Sequence, residues 1–178
     1  MLTDEQLMLE ARGGSGGAFE AIFDRYREPL WRFFRRRVDD AGRAEELAHD
    51  VFVALLQGAG RYEPRAPFRS YLFGIAYNLL LADRRRSLQH AAGALHDNLA
   101  APLVDVDAAL WVRSALAALE PEAREIVMLR EYEQLSYDDI ASILGIPLNT
   151  VRSRLFRARM DLKSALSRQL GRAGEGRP

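Results

Sequence analysis

The chain has 178 residues, 25 Lys and Arg against 25 Asp and Glu, 48% apolar residues and no cysteine. That length allows one medium domain or two small ones. The missing thiols exclude disulfides, thiolate metal sites and thiol-based redox sensing, while a net charge of zero argues against a nonspecific coat on nucleic acid but leaves local patches open.

The N-terminus, MLTDEQLMLEARGG, is acidic and lacks the basic-then-apolar layout of a signal peptide. Thr3, Asp4 and Glu5 open a short helix that ends at the glycines near position 13. A long helix is predicted from about Gly17 to Val38, with Phe19, Ile22, Phe23, Tyr26, Leu30, Phe33 and Phe34 at three- and four-residue spacing. DDAG breaks it, and a further helix runs from about Gly42 to Gln57. GAGRYEPRAP reads as a loop, and Pro67 opens a helix that ends near Arg86. Its apolar run, Tyr71 to Ala82, is interrupted by Asn78 and is too short to cross a bilayer. The expectation is a soluble cytoplasmic protein with no direct membrane insertion.

From Ser87 to about Asp105 the periodicity fades into alanine, glycine and acid, the composition of a linker. Helical spacing returns near Asp107 with Leu110, Val112, Leu116 and Leu119. Pro121 suits the first turn of the next helix, which carries Ile126, Val127 and Leu129. SYDD, Ser136 to Asp139, has a hydroxyl followed three residues on by an acid, and so caps a helix from Tyr137 to Leu144. Gly145 supplies the turn, and a last helix starts near Pro147. Alternating β-branched runs bounded by turns are missing, so the fold class expected is all-α: two small helical domains joined by a flexible linker.

Charge is segregated along this layout. Between Pro147 and Arg172 seven basic residues face Asp161 alone. Arg84 to Arg86 form a second basic cluster, while acid collects at Asp39 to Asp50 and at His96 to Asp107. A short helix, a glycine turn and a basic helix make a helix-turn-helix. At 100° per residue, Leu148, Val151, Leu155, Ala158 and Leu162 share the face that should dock. Ser153, Phe156, Arg157 and Met160 fall opposite, with Arg152, Arg159 and Lys163 on one flank and Arg154 on the other. A ring among guanidinium groups suits base edges: arginine bonds guanine in bidentate fashion and the ring meets a thymine methyl. Arg152, Ser153, Phe156 and Arg157 are therefore base-contact candidates, and Thr150, Arg154 and Arg159 phosphate-contact candidates.

Two surfaces of the first half ask for other partners. On the helix from Gly42 to Gln57, Ala44, Leu47, Val51, Ala54 and Leu55 form a core stripe. Glu45, His49, Phe52, Val53 and Leu56 lie on the other side, beside Glu46 and Asp50. A helix apolar on two faces is either buried or partnered, and a mixed acidic and apolar surface suits a basic protein. Further on, Tyr62, Arg65, Phe68, Arg69, Tyr71, Phe73, Tyr77 and Arg84 to Arg86 interleave rings with cations, as proteins that hold single-stranded bases do. Phe68, Leu72, Ile75 and Leu79 share a face and read as packing, which leaves Tyr71, Tyr77, Asn78, Arg84 and Arg85 off it.

Catalysis finds little support. His49 and Asp50 form a dipeptide with metal-ligating chemistry, but His90 and His96 lie in or near the linker, and no nucleophile sits at motif spacing from a base. No cofactor, metal or small-molecule substrate is expected. A stand-alone regulator of duplex DNA would leave the outward apolar face and the aromatic loop without a purpose. An adaptor that binds only proteins would leave Phe156 among arginines unexplained.

AFEAIFDRYREPLWRFFRRRV, AEELAHDVFVALL and FRSYLFGIAYNLLLADRRR resemble the first conserved domain of bacterial RNA polymerase sigma factors of the sigma-70 family, extracytoplasmic-function (ECF) group. LAALEPEAREIVMLREYEQLSYDDIASILGIPLNTVRSRLFRARMDLKSAL resembles the second. The resemblance implies a region 2-like domain over 1–88, a linker over 89–106, a region 4-like helix-turn-helix domain over 107–170 and a disordered tail over 171–178. It implies core polymerase as partner, through the clamp helices of the largest subunit and the flap, with Glu45, Glu46, His49, Asp50, Phe52, Val53 and Leu56 as contacts. Tyr62, Arg65, Arg69, Tyr71, Tyr77, Asn78, Arg84 and Arg85 would take the −10 element, including a flipped base. Thr150, Arg152, Ser153, Arg154, Phe156, Arg157 and Arg159 would read −35. It also implies an anti-sigma partner that occludes these surfaces. The chain departs from the group's pattern with Tyr71 in place of tryptophan, Tyr77 in place of arginine, and GGSGGAFE in place of Gly-Asp before the phenylalanine.

Overall fold

A computed structural model of the chain describes residues 2–90 and 106–174, in two compact units, one before and one after the intervening segment. Among the described residues there are no strands. The first unit holds α1 (Asp4–Arg12), α2 (Gly16–Arg35), α3 (Ala41–Gly58), a 3-10 turn (Ala59–Arg61) and α4 (Phe68–His90). The second holds α5 (Val106–Ala117), α6 (Pro121–Glu131), α7 (Tyr137–Leu144) and α8 (Leu148–Gly174).

Three helix starts of the first unit have a local chemical cause, and the fourth a distant one. The Thr3 hydroxyl accepts the Gln6 amide while the Gln6 side chain accepts the Thr3 amide, closing a capping box on α1. Ser15 caps α2 by accepting the Ala18 amide. Asp40 accepts the amides of Gly42 and Arg43 at 2.7 and 3.1 Å, so the DDAG break is also the start signal of α3. The Phe68 amide at the start of α4 donates to the distant Glu5 carboxylate at 2.8 Å.

The core of the first unit is aromatic. Phe33, Phe34, Phe68, Phe73 and Ile22 are fully buried, with Leu30, Leu47, Val51, Leu55, Leu72 and Leu80 around them. The Phe33 ring stands edge-on to Phe34 at 5.0 Å and lies tilted 5.5 Å from Phe73, within the range where aromatic pairs attract. At the other end of α4, Asp83 is 9% exposed and its Oδ1 accepts from Arg43 Nε and Nη2 at 2.9 and 2.6 Å. One guanidinium on α3 therefore compensates a carboxylate that would otherwise be costly to desolvate.

The inward face of α4 differs from the one expected. Phe68 and Leu72 are buried, but Ile75 and Leu79 are only half-buried, and Phe73, Ala76 and Leu80 complete the stripe. Neighbours on both sides of α4 cover an arc wider than one apolar row.

In the second unit α8 packs on α5, α6 and α7. Arg124 reaches back from α6 to the carbonyls of Leu116, Ala117 and Leu119 at 2.9, 2.7 and 3.2 Å, closing the end of α5. Ser136 and Asp139 form the predicted capping box on α7. Gly145 ends α7 at φ 65°, and its amide returns to the Ala141 carbonyl. A Cβ there would meet nothing within 4 Å, so glycine is required by backbone conformation rather than by space.

Two expected boundaries move. α4 runs to His90, and α8 continues through Gly171 to Gly174, into the residues expected to form the tail. Adding a residue to an existing helix is far cheaper than starting one, so a single glycine does not stop it. Most of the expected linker, including its acids Asp97 and Asp105, lies outside the described residues.

Candidate nucleic-acid and protein interfaces

The clearest candidate for a reading surface is on α8. Val151, Leu155 and Ala158 are buried, and Leu148 and Leu162 are half-buried, so the docking face lies where its periodicity put it. Opposite, Phe156 is 65% exposed and Met160 46%. Arg152, Ser153 and Arg157 are exposed beside the ring. Arg157 Nε donates to the Ser153 carbonyl at 3.4 Å, and the Ser153 hydroxyl donates to the Thr150 carbonyl at 3.1 Å. These are weak local tethers that hold the face along its own helix. Thr150 is half-buried.

The phosphate candidates of this helix are less free than the base candidates. Arg154 pairs with Glu122 at the start of α6, and Arg159 donates to Glu131 at the end of α6 at 2.6 Å. The latter pair holds the Arg159 guanidinium above its ordinary pKa. Arg154 also lines, with Arg157, Glu120 and Asp161, a cleft between α6 and α8. Both ion pairs are partly exposed, so each is weak and screened by salt.

On α4, Tyr71, Asn78 and Arg85 recur at seven-residue spacing and form one strip along the outer side. Tyr77 and Arg84 form a parallel strip beside it. Asn78, Arg84 and Arg85 are exposed, and Tyr71 and Tyr77 half-buried. Arg65 is exposed on the preceding loop, where it pairs with Glu63.

Two residues expected on this surface turn inward. Tyr62 is 2% exposed, packed 5.1 Å from Tyr71 and 6.1 Å from Phe68, and its hydroxyl is buried without a hydrogen-bond partner. Burial, and secondarily the Glu5 carboxylate, hold that phenol above its ordinary pKa. Its ring is core and cannot stack on a base without leaving it. Arg69 lies on the inward side of α4, its guanidinium 5.0 Å from the Phe73 centroid and 5.9 Å from Tyr26. There it covers rings by cation–π contact.

The outward face of α3 needs a similar correction. Glu45, Glu46, His49 and Asp50 are exposed, as are Val53 at 39% and Leu56 at 53%. Phe52 is not: it is 4% exposed, with Phe23 at 4.7 Å and Phe19 at 6.3 Å across the helix pair. Two phenylalanines of α2 cover the Phe52 part of that second apolar face and leave Val53 and Leu56 bare. In exchange, α2 exposes Trp31 at the rim of a groove lined by Phe23, Arg27, Glu45, His49 and Phe52. Trp31 was not singled out from the sequence, although its phase places it off the Leu30 and Phe34 stripe. Glu46 accepts from Arg43 at 2.6 Å, which ties the acidic face to the Asp83 pair.

Among the described residues no group of three or more His, Cys, Asp or Glu is placed to hold a metal ion, and no helix is long and apolar enough to cross a membrane.

Comparison with known proteins identifies both units. The family model for sigma-70 region 2 matches residues 22–89, and that for sigma-70 region 4 matches residues 109–162. The RNA polymerase sigma-H factor of Pseudomonas aeruginosa is 30% identical, over 92% of this chain and 93% of that protein. The ECF RNA polymerase sigma factor SigM of Mycobacterium tuberculosis is 30% identical, over 92% of this chain and 85% of its own. The fold is shared with CnrH, solved in complex with the cytosolic domain of CnrY, at TM-score 0.67 and 24% identity, over 92% of this chain and 97% of that one. It is also shared with the Bartonella quintana sigma factor RpoE, solved in complex with the anti-sigma factor NepR, at TM-score 0.70 and 24% identity, over 84% and 96%. The chain belongs to the sigma-70 family of RNA polymerase sigma factors, in the extracytoplasmic-function group.

The burial of Phe52 separates two substitutions on α3. Phe52→Ala should cost about 3–4 kcal/mol of stability, the usual cost of emptying a buried aromatic site. Leu56→Ala should stay within about 0.5 kcal/mol, as exposed positions do. Urea unfolding of the two variants measures both, and equal losses would show that Leu56 is also covered.

Proposed function

We propose that this sigma factor binds core polymerase through the outward face of α3, takes the −10 element on α4 and the loop before it, and reads the −35 element with α8. The observation that carries the reading is Phe156, 65% exposed between Arg152, Ser153 and Arg157. A water-facing helix has no need of an exposed ring among arginines, whereas a major-groove edge rewards both groups. Thr150, Arg154 and Arg159 approach phosphates from the flanks.

For −10, the strip of Tyr71, Asn78 and Arg85, with Tyr77, Arg84 and the exposed Arg65, offers rings and cations to an opened strand. For core polymerase, Glu45, Glu46, His49, Asp50, Val53 and Leu56 offer acid beside apolar surface, and Trp31 extends it. The clamp helices of the largest subunit are the partner there, and the flap is the partner of the second unit. The chain acts by binding, not by catalysis, and works in the cytoplasm without a cofactor. An anti-sigma factor holds it inactive by covering these exposed faces. Membership of the family supports each of these assignments.

The direct test is run-off transcription from genomic DNA with purified core polymerase and the full chain. Promoter-specific starts are expected only when both are present. Duplex binding without any specific start would mark a stand-alone regulator instead. On a promoter so recovered, Arg157→Ala should change the preferred upstream base, by about 1–3 kcal/mol of discrimination. Uniform weakening on all sequences would demote Arg157 to a phosphate contact.

The two ion pairs of α8 yield a second prediction. Glu122→Gln and Glu131→Gln release Arg154 and Arg159. Each should tighten promoter binding by the holoenzyme at low salt and steepen the logarithmic salt dependence by about one. An unchanged slope would show that the released arginine does not reach a phosphate.

A further inference from the structure

We propose that α1 is a latch that sets the shape of the −10 loop, with Glu5 and Arg12 as positioning residues for base capture. The proposal rests on reading residues 58–68 as part of the −10 surface.

The backbone of the loop between the 3-10 turn and α4 makes few hydrogen bonds of its own, although the Tyr62 ring is buried at one end and Arg65 pairs with Glu63 within it. It contains Pro64 and Pro67, which lack amide donors, and its backbone makes a hydrogen bond from Arg65 to the Glu63 carbonyl at 2.8 Å. Both of its ends are held instead by one short helix. Arg12 Nη1 donates to the Tyr62 carbonyl at 3.0 Å, where the loop begins. Glu5 Oε1 accepts the Phe68 amide at 2.8 Å, where it ends.

A third contact supports the second. Asp4 accepts the Tyr26 hydroxyl at 2.5 Å and Arg25 at 2.6 Å, and the Tyr26 ring stands edge-on to Phe68 at 5.5 Å. The backbone contact holds the Glu5 carboxyl below its ordinary pKa, so it is ionised and a strong acceptor at neutral pH. Glu5 and Arg12 are seven residues apart and share a face of α1, while Leu7 and Met8, 5% and 0% exposed, dock the helix by apolar contact.

The span of α1 therefore measures the distance between the loop's two ends. Between those points Glu63, Arg65 and Ala66 are exposed. A loop already held in one shape does not lose that freedom again when a base arrives, and preorganisation of this kind appears as affinity. The helix packs on α2, the 3-10 turn and α4. The outward acids and leucine of α3 are not among the residues it holds, so disturbing the latch should leave core polymerase binding intact. A merely structural prop would move both.

The test uses holoenzyme and a short single-stranded oligonucleotide carrying the −10 hexamer of a promoter recovered by run-off transcription, against the same oligonucleotide with the hexamer scrambled. The paired variant Glu5→Ala/Arg12→Ala should lose about tenfold in discrimination between the two, with core affinity unchanged. Glu5→Gln/Arg12→Lys keeps an acceptor and a donor and should retain most of it. If the unaltered chain discriminates and the alanine pair discriminates equally, the latch is wrong. If core affinity falls in parallel with discrimination, or the conservative pair fails as badly, α1 is a structural prop and the proposal is overturned. If the unaltered chain does not discriminate at all, the −10 reading itself fails, and the latch with it.

Discussion

The ring of Phe33 is the joint on which the first unit depends. It is fully buried, meets Phe34 within its own helix and Phe73 from α4, and carries the Arg37 guanidinium 3.8 Å above its face. That contact fixes the rotation of α4 about its axis, because Phe73 must point inward to meet it. With Phe73 inward, Tyr71, Asn78 and Arg85 must point outward. The Arg43–Asp83 pair then sets how α3 lies against the far end of α4, and with it the direction of the acidic face. Packing here does not merely hold the unit together; it aims the residues proposed to meet the partners.

The neutral charge of the chain is the sum of surfaces with opposite charge. Acid stands on the outward face of α3 and basic residues stand on the outer sides of α4 and α8. Within the second unit the separation is incomplete, because α6 supplies Glu122 and Glu131 to Arg154 and Arg159. On the proposed reading, DNA competes with these acids for the flanking arginines, while Arg152, Arg157 and Phe156 are exposed. On the same reading, positioning contacts are weakened relative to base contacts, which would favour selectivity over bulk affinity.

Much of this was legible in the sequence because local rules were sufficient for it. The helices follow from apolar spacing, and the caps at Thr3 and Ser136 and the turn at Gly145 are where their chemistry demands. The buried and exposed faces of α8 follow from phase alone. What failed was tertiary. The second apolar side of α3 could not reveal that Phe19 and Phe23 would cover Phe52 while leaving Leu56 bare. Tyr62 sits in a loop, where no period assigns a side, and Arg69 is drawn inward by Phe73 one turn on in its own helix and by Tyr26 from α2, of which only the first is local. The hydrogen bonds of Arg12 to Tyr62 and Glu5 to Phe68 span 50 and 63 positions, so nothing local to α1 announced them.

We propose that one chain joins two reading surfaces to a polymerase contact, so that a promoter opens only in the assembled complex. Permanganate reactivity of thymines in the −10 region of a recovered promoter measures this most directly. Reactive thymines are expected with core polymerase and the chain together, none with either alone, and the signal should be lost when the −35 element is replaced. Reactivity that persists without the chain, or that ignores replacement of the −35 element, would contradict it.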